Sequence, residues 1–187
     1  GCGGYHYSDS VMYGFSHTHL SGTGIPDYCD VLVMPFTGNV KWKNSEYASP
    51  FSHKKEKASP GYYEVLLKKG NIKAALTTSF RSGMHSYTFD AAATEGKILL
   101  DLQHRDLVIE SSLEIVNDHE IRGMRRSRSW ATNQYLFFYM RFEKPIKEYG
   151  IAVNDELQKG INSDNGKNIK GTRQIKKHKR RYFLKIQ

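Results

Sequence analysis

The sequence YYEVLLKKGNIKAALT, residues 62–77, decides the fold class. Side chains alternate with a period of two along residues 62–67 and again along residues 72–77, which is typical of β-strands. Between the two runs lies Lys68-Lys69-Gly70-Asn71, whose glycine and asparagine favour a tight turn. The stretch therefore predicts a β-hairpin.

Further strands are predicted on both sides of this hairpin. The period of two continues at residues 85–89, and strand-like runs follow at 98–102 and 107–115. The aromatic run at 135–142 is apolar on both faces, which predicts a strand buried between two layers. Seven or more short strands, with turn signals about every ten residues and no sustained helical period, predict an all-β fold, an antiparallel β-sandwich.

Two segments lack this alternation. Residues 36–60 contain Gly38, Pro50 and Pro60 but little periodicity, so we expect a long functional or disordered loop. Residues 154–175 are rich in Asn, Asp and Gly, so we expect a loop that leads into a basic tail.

The net charge of +9 belongs to one end of the chain. Residues 167–187 hold nine Lys and Arg and no acidic residue, so 28 − 9 = 19 basic residues face 19 acidic ones in residues 1–166. The chain is therefore divided into a formally neutral domain, 1–166, and a basic tail, 167–187. Since the neutral domain suits an uncharged ligand, no nucleic-acid partner is predicted. The longest apolar run is far shorter than the roughly 20 residues of a membrane helix, which predicts no membrane span.

The densest group of polar residues is GFSHTHLSGTG, residues 14–24. His17 and His19 are two residues apart, so on an extended segment they point to the same face, and the glycines let a ligand approach the backbone. A polar pocket or part of a metal site is one interpretation. The other is structural: the histidines pin a glycine-rich turn, and Asp27 and Asp30 cap turns.

Three further features carry alternatives. The arginines near Trp130 suit stacking on bases or a sugar, but ion pairing with nearby acids is favoured (Arg122, Arg125, Arg126 and Arg128 against Glu110, Glu114, Asp118 and Glu120). His104-Arg105-Asp106 reads as a polar turn, because no phosphate-binding loop accompanies it. Whether Cys2 and Cys29 pair stays open.

Residues 14–24, together with Pro26-Asp27-Tyr28 and residues 30–35, resemble the signature of the amino-terminal domain of glycoside hydrolase family 92, the calcium-dependent exo-acting α-mannosidases. Residues 51–63, 123–127 and 138–145 extend the resemblance, which covers about residues 3–153 and fades after Gly166. It implies a supersandwich-like β-sandwich whose first strands precede Gly1. A truncated chain would explain both edges.

The family places its catalytic carboxylates and most calcium ligands in a following (α/α)6 barrel. An inverting glycosidase needs a general acid and a general base roughly 6.5–9.5 Å apart, and the resemblance assigns both to that barrel. The chain alone is therefore expected to be inactive, with no catalytic residue. Calcium is expected in the complete enzyme and not in this chain. A periplasmic or extracellular location is implied, although this chain lacks a signal peptide.

The resemblance implies that the domain forms one wall of the mannoside pocket and packs on the barrel. The implied wall residues are His17, His19 and Ser21, with Tyr5, Tyr7, His53, Glu56 and His104 as further candidates. The expected partners are a mannose-containing glycan, the barrel of the same protein, and a second copy through the uncovered interface. The alternative is a stand-alone lectin-like sandwich that stacks sugars on Trp42 and Trp130.

Overall fold

The fold consists almost entirely of β-strands. The computed structural model describes residues 4–20, 24–25, 27–158, 160–166, 169–176 and 181–186. In this part no helix is long and apolar enough to cross a membrane. The strands are β1 (Val11–Met12), β2 (Leu32–Phe36), β3 (Ser49–Pro50), β4 (Glu56–Ser59), β5 (Tyr62–Leu67), β6 (Ile72–Thr78), β7 (Gly83–Thr88), β8 (Glu95–Asp101), β9 (Leu107–Ile115), β10 (Glu120–Arg128), β11 (Gln134–Phe142), β12 (Glu148–Val153), β13 (Glu156–Gln158), β14 (Ser163–Gly166), β15 (Ile169–Lys176) and β16 (Arg181–Ile186).

Two antiparallel sheets form a sandwich. The larger has nine strands in the order β14-β9-β10-β11-β16-β7-β6-β5-β4, and the smaller has five in the order β13-β12-β15-β8-β2. Apolar side chains of the two inner faces meet in the core, for example Val33 and Leu100 from the smaller sheet with Leu113 and Met140 from the larger. The predicted all-β antiparallel sandwich is confirmed.

The predicted hairpin is confirmed as β5 and β6. Leu67 pairs with Ile72 across a four-residue loop. Gly70 (φ 78°) and Asn71 (φ 49°) both adopt left-handed backbone conformations, which these two residue types tolerate best. The loop residues therefore set the register in which Val65 and Ala74 face the core.

The aromatic strand β11 is buried on one face only. Phe138, Met140 and Phe142 lie in the core, whereas Phe137 is 73% exposed and Tyr135 is 53% exposed. The prediction of a strand buried on both faces was wrong. The reason is that the second layer covers only the inner face of β11, and the outer face is open in this chain.

The two segments without alternation contain short elements. Residues 36–60 hold a one-turn helix α1 (Asn44–Tyr47), β3, a 3-10 turn (His53–Lys55) and β4. Residues 154–175 contain β13, β14 and most of β15. Pairing with long neighbouring strands, such as β14 with β9 and β15 with β8, provides the order that the sequence pattern did not reveal.

Two strands lie within residues 167–187, which the sequence analysis predicted to be a basic tail. β15 is central in the smaller sheet, and β16 lies between β11 and β7 in the larger. The sequence predicted only a basic tail at residues 167–187, so β15 and β16 differ from that expectation. The division at Gly166 stays a prediction, but the strands after it belong to both sheets.

A buried ion pair ties the segment before β2 to the larger sheet. The Arg125 guanidinium on β10 bonds to the Asp30 carboxylate, and both side chains are at most 2% exposed. Arg125 also donates from Nε to the Leu102 carbonyl (2.8 Å) and from an amino group to the Asp106 carbonyl (3.1 Å). Asp30 accepts a further bond from the Thr18 hydroxyl at 2.9 Å. The ion-pair expectation held for Arg122 with Glu114, whereas Arg125 has a partner 95 residues away.

Asp27 anchors the same segment at a second point. Its carboxylate accepts bonds from the backbone amides of Trp130 (3.0 Å) and Ala131 (2.8 Å) and from Gln134 Nε2 (3.0 Å). These donors, the Ala131 amide foremost, lower the pKa of Asp27. Asp27 therefore caps a distant loop between β10 and β11 rather than its own turn.

His17 belongs to a buried polar chain between the sheets. Its Nδ1 lies 2.7 Å from the Val31 carbonyl, its Nε2 lies 3.0 Å from His85 Nε2, and His85 Nδ1 lies 2.6 Å from the Tyr87 hydroxyl. Since a carbonyl only accepts, His17 donates from Nδ1 and accepts at Nε2 from His85, which accepts from Tyr87. Burial lowers the pKa of His17 to about 4 and that of His85 well below its usual range. Both imidazoles are therefore neutral near pH 7.

Replacing Arg125 with Met is expected to cost about 3–5 kcal/mol of unfolding free energy, because the Asp30 carboxylate would stay buried without its partner. Arg122→Met on the same strand is the matched control, since its ion pair with Glu114 is exposed and is worth about 0–1 kcal/mol. Urea unfolding at pH 7 measures both. Equal losses for the two variants would contradict the structural importance of the buried pair.

The buried histidines predict a loss of stability in acid. Between pH 6.5 and 4 the unfolded chain binds a proton at residue 17 that the folded protein does not, so the free energy of unfolding falls as the pH is lowered. From pH 7 to pH 5 the contribution of His17 is about 2 kcal/mol. Urea unfolding of His17→Asn should show a correspondingly weaker pH dependence than the parent protein. A His17→Asn variant with the parent's pH dependence would contradict this prediction.

Candidate functional site

An open groove of about 1130 Å³ lies between the segment at residues 4–16 and the strands β4 to β6. Six of the eight residues proposed from the sequence line it: Tyr5, Tyr7, His19, His53, Glu56 and His104. His17 does not line it, and Ser21 lies outside the described residues. Residues separated by up to 99 positions in the chain are thus brought to one surface.

The segment at residues 14–31 positions His17 and His19 in different directions. Its described residues form no regular strand, with single bridges from Phe15 to Val33 and from His19 to Tyr28. His17 therefore points to His85 in the interior while His19 faces the groove. The prediction that the two histidines share a face was wrong, because the alternation it assumes requires a continuous strand.

His19 forms one end of the groove with Ser16. His19 Nε2 lies 2.6 Å from the Ser16 hydroxyl. Partial burial lowers the pKa of His19, against the opposing influence of the Asp30 carboxylate. A neutral imidazole beside a hydroxyl offers both a donor and an acceptor to an uncharged ligand. Ser16 was missed from the sequence because only its contact with His19 distinguishes it from other serines.

Aromatic rings surround a carboxylate at the other end. Tyr7 stacks on His53 with ring centroids 4.2 Å apart, and the Tyr5 and Tyr63 rings meet edge to face at 6.1 Å. Glu56 accepts bonds from Tyr63 (2.7 Å) and His53 (2.5 Å). Partial burial opposes ionisation of Glu56, but the bonds from His53, Tyr63 and Tyr5 outweigh it and lower its pKa. Glu56 is therefore an anion that the surrounding side chains already satisfy.

His104 and Arg105 complete the groove beside the buried Cys29. His104 Nδ1 lies 3.3 Å from the amide nitrogen of Asn44, and burial lowers the pKa of His104. An Arg105 amino group lies 3.8 Å from Cys29 Sγ. Among the described residues Cys29 has no disulfide partner, and burial raises the pKa of its thiol. Cys2 lies outside the described residues, so a pairing with it stays a question.

The groove is suited to an uncharged ligand. Its charged side chains are Asp9, Glu56 and Arg105, of which Glu56 already accepts hydrogen bonds from His53 and Tyr63, and the remaining lining is aromatic, hydroxylic and apolar. Calcium requires six to eight oxygen ligands, whereas the described part of the chain contains no group of three His, Cys, Asp or Glu arranged for a metal ion. The residues of this groove therefore do not fit a calcium site.

Comparison with known proteins gives the family. The model of the glycosyl hydrolase family 92 N-terminal domain matches residues 1–183. No curated protein matches the chain.

Solved structures of this family share the fold. A family GH92 α-mannosidase from Bacteroides thetaiotaomicron in complex with mannoimidazole is 30% identical with a TM-score of 0.92, over 99% of this chain and 26% of that chain. The GH92 family glycosyl hydrolase ccman5 is 26% identical with a TM-score of 0.89, over 99% and 27%. An inverting GH92 mannosidase from Bacteroides thetaiotaomicron shares the fold with a TM-score of 0.82. It is 24% identical, over 97% of this chain and 24% of that chain.

The present chain spans about a quarter of the length of these neighbours. Since the family model covers nearly the whole sequence, the resemblance seen in residues 14–24 is confirmed. The chain belongs to glycosyl hydrolase family 92 and is the N-terminal domain of that family.

Proposed function

We propose that the groove is one wall of an α-mannoside site, and that the chemistry of hydrolysis is supplied by an (α/α)6 barrel packed on this domain. The observation that carries the proposal is the convergence of six residues, proposed from the family resemblance, on a single groove. A family neighbour is an α-mannosidase solved with mannoimidazole, which supports a mannose-like ligand.

The groove offers what a sugar requires. A pyranose presents an apolar face and several hydroxyls, so its sites combine aromatic rings with neutral donors and acceptors. Tyr5 and Tyr7, which are 48% and 71% exposed, offer ring faces, and His19 and Ser16 offer hydrogen bonds. In this proposal His17 braces the wall from inside, and His53 and Glu56 hold the rings of Tyr7 and Tyr5 in place.

The chain alone is proposed to bind and not to hydrolyse. Hydrolysis with inversion needs two carboxyl groups roughly 6.5–9.5 Å apart on opposite sides of the scissile bond. Of the carboxylates that line the groove, Glu56 is already engaged by His53 and Tyr63, so we assign it a structural role. In this proposal the complete enzyme binds calcium through residues outside this chain. The complete enzyme would act in the periplasm or outside the cell.

Methyl α-mannoside should bind the isolated chain with a dissociation constant on the order of 1 mM, since only one wall is present. His19→Ala should weaken binding by about fivefold, the value of one hydrogen bond of about 1 kcal/mol. Titration followed by NMR chemical shifts measures both, and mannose release from α-1,2-linked mannobiose should be undetectable. Release that a calcium chelator abolishes would contradict the assignment of catalysis to another domain.

Trp130→Ala is the matched control for the location of the site. Trp130 is 74% exposed and lies outside the groove, so the variant should bind methyl α-mannoside as the parent does. If Trp130→Ala abolished binding while His19→Ala did not, the second candidate, a lectin-like sandwich, would replace the first. The exposure of Trp130 favours that candidate, but Trp42 is partly buried against the core.

A further inference from the structure

A chain of polar side chains runs from the groove into the interior behind His104. His104 Nδ1 lies 3.3 Å from Asn44 Nδ2, and Asn44 Oδ1 lies 2.7 Å from the Tyr47 hydroxyl oxygen. The same hydroxyl oxygen lies 2.8 Å from Asp101 Oδ2. Tyr47 is 2% exposed and Asp101 is 1% exposed, so the bond between these two side chains is shielded from water.

Asp101 is the last residue in this series of hydrogen bonds and accepts from its neighbours. Its Oδ1 accepts the backbone amides of Gln103 (2.7 Å) and His104 (3.2 Å), and the Lys170 ammonium lies 3.9 Å from Oδ2. Lys170 is itself buried and is held by Asp155 (2.9 Å) and the Trp42 carbonyl (2.7 Å). A carboxylate among such donors has no hydrogen to give, so the Tyr47 hydroxyl must donate to it.

This requirement fixes the direction of every other bond. The Tyr47 hydroxyl has one hydrogen, and the buried carboxylate is its strongest acceptor. Two oxygens without a hydrogen between them repel, so Asn44 Oδ1 cannot stay beside that hydroxyl, and a half turn of the amide brings Nδ2 there instead. Amide nitrogen and oxygen exchange places by a half turn of the side chain, so their assignment follows from the hydrogen bonds. The Asn44 oxygen then faces His104 and accepts from Nδ1–H.

We propose that Asp101, Tyr47 and Asn44 are positioning residues that hold His104 in its Nδ1–H tautomer and leave Nε2 as a bare acceptor for a hydroxyl of the mannoside. The mannoside as ligand rests on the proposed function, whereas the tautomer of His104 rests on the chain of hydrogen bonds. Burial lowers the pKa of His104, which supports a neutral ring near pH 7. The Nε2 atom of His104 then accepts a hydrogen bond from the ligand, whereas in the other tautomer it would donate one.

The tautomer is measured directly by nitrogen-15 NMR of the histidine rings in the 187-residue chain at pH 7.5. The expected result is a protonated Nδ1 and a bare Nε2 for His104, assigned by the loss of its signals in His104→Ala. A protonated Nε2 in the parent protein would overturn the inference, whatever the variants do.

Two substitutions test whether these hydrogen bonds position His104. Asn44→Leu removes the acceptor and should give a mixture of tautomers, as should Tyr47→Phe, which frees the Asn44 amide to turn. An unchanged tautomer in both Asn44→Leu and Tyr47→Phe would show that the hydrogen bonds from Asp101 through Tyr47 and Asn44 do not position His104.

Binding of methyl α-mannoside separates this inference from the proposed function. His104→Ala should weaken binding by about two- to tenfold, the range for one neutral hydrogen bond. Tyr47→Phe should weaken it less, because part of the population keeps a bare Nε2. The expected tautomer without any mannoside binding would contradict the proposed function alone. Parent-like binding by His104→Ala would overturn the role of His104 as an acceptor for the ligand.

Discussion

The buried ion pair between Arg125 and Asp30 is the contact on which the groove depends. A guanidinium without water is tolerated only where fixed acceptors surround it. Arg125 has three: the Asp30 carboxylate and the carbonyls of Leu102 and Asp106. One side chain thus connects β10, the end of β8 and the segment before β2. Since that segment carries His19, and the Leu102 to Asp106 turn carries His104, the ion pair sets the positions of two groove residues at once.

The segment at residues 14–31 divides its polar residues between the interior and the groove. His17 faces inward, where the chain to His85 and Tyr87 allows only one order of donors and acceptors, and Asp27 and Asp30 bind distant backbone and Arg125. Asp30 and Asp27 supply the attachment, so His19 and Ser16 remain for a ligand. Attachment at several buried points fixes the described residues of this segment without the hydrogen bonds of a continuous strand. Their placement matters for the proposed wall, because a wall that shifts by an ångström would no longer align with the rest of a site.

The groove itself is polar but nearly uncharged in effect. Glu56 is satisfied by His53, Tyr63 and Tyr5, and burial favours neutral forms of His19 and His104. In the proposed site, an uncharged, hydroxyl-rich ligand loses little by leaving water, because its hydroxyls meet hydrogen-bonding side chains and its apolar face meets aromatic rings. The positive net charge of the sequence therefore has no counterpart in the lining of the groove.

The local pattern predicted the antiparallel sandwich and six of the sixteen described strands, including both strands of the hairpin at residues 62–77, because a period of two in side-chain character is a property of neighbouring residues. It also determined the family, through the residues at 14–24. The folded chain alone shows which face of β11 is exposed and which way His17 points. It also shows that Asp30 is the partner of Arg125, and that Ser16 and Asn44 contact histidines of the groove. These depend on contacts between residues far apart in the chain, and the segment at residues 14–31 has no period from which a direction could be read. The strands after residue 154 likewise exist because long neighbours pair with them, which no local propensity encodes.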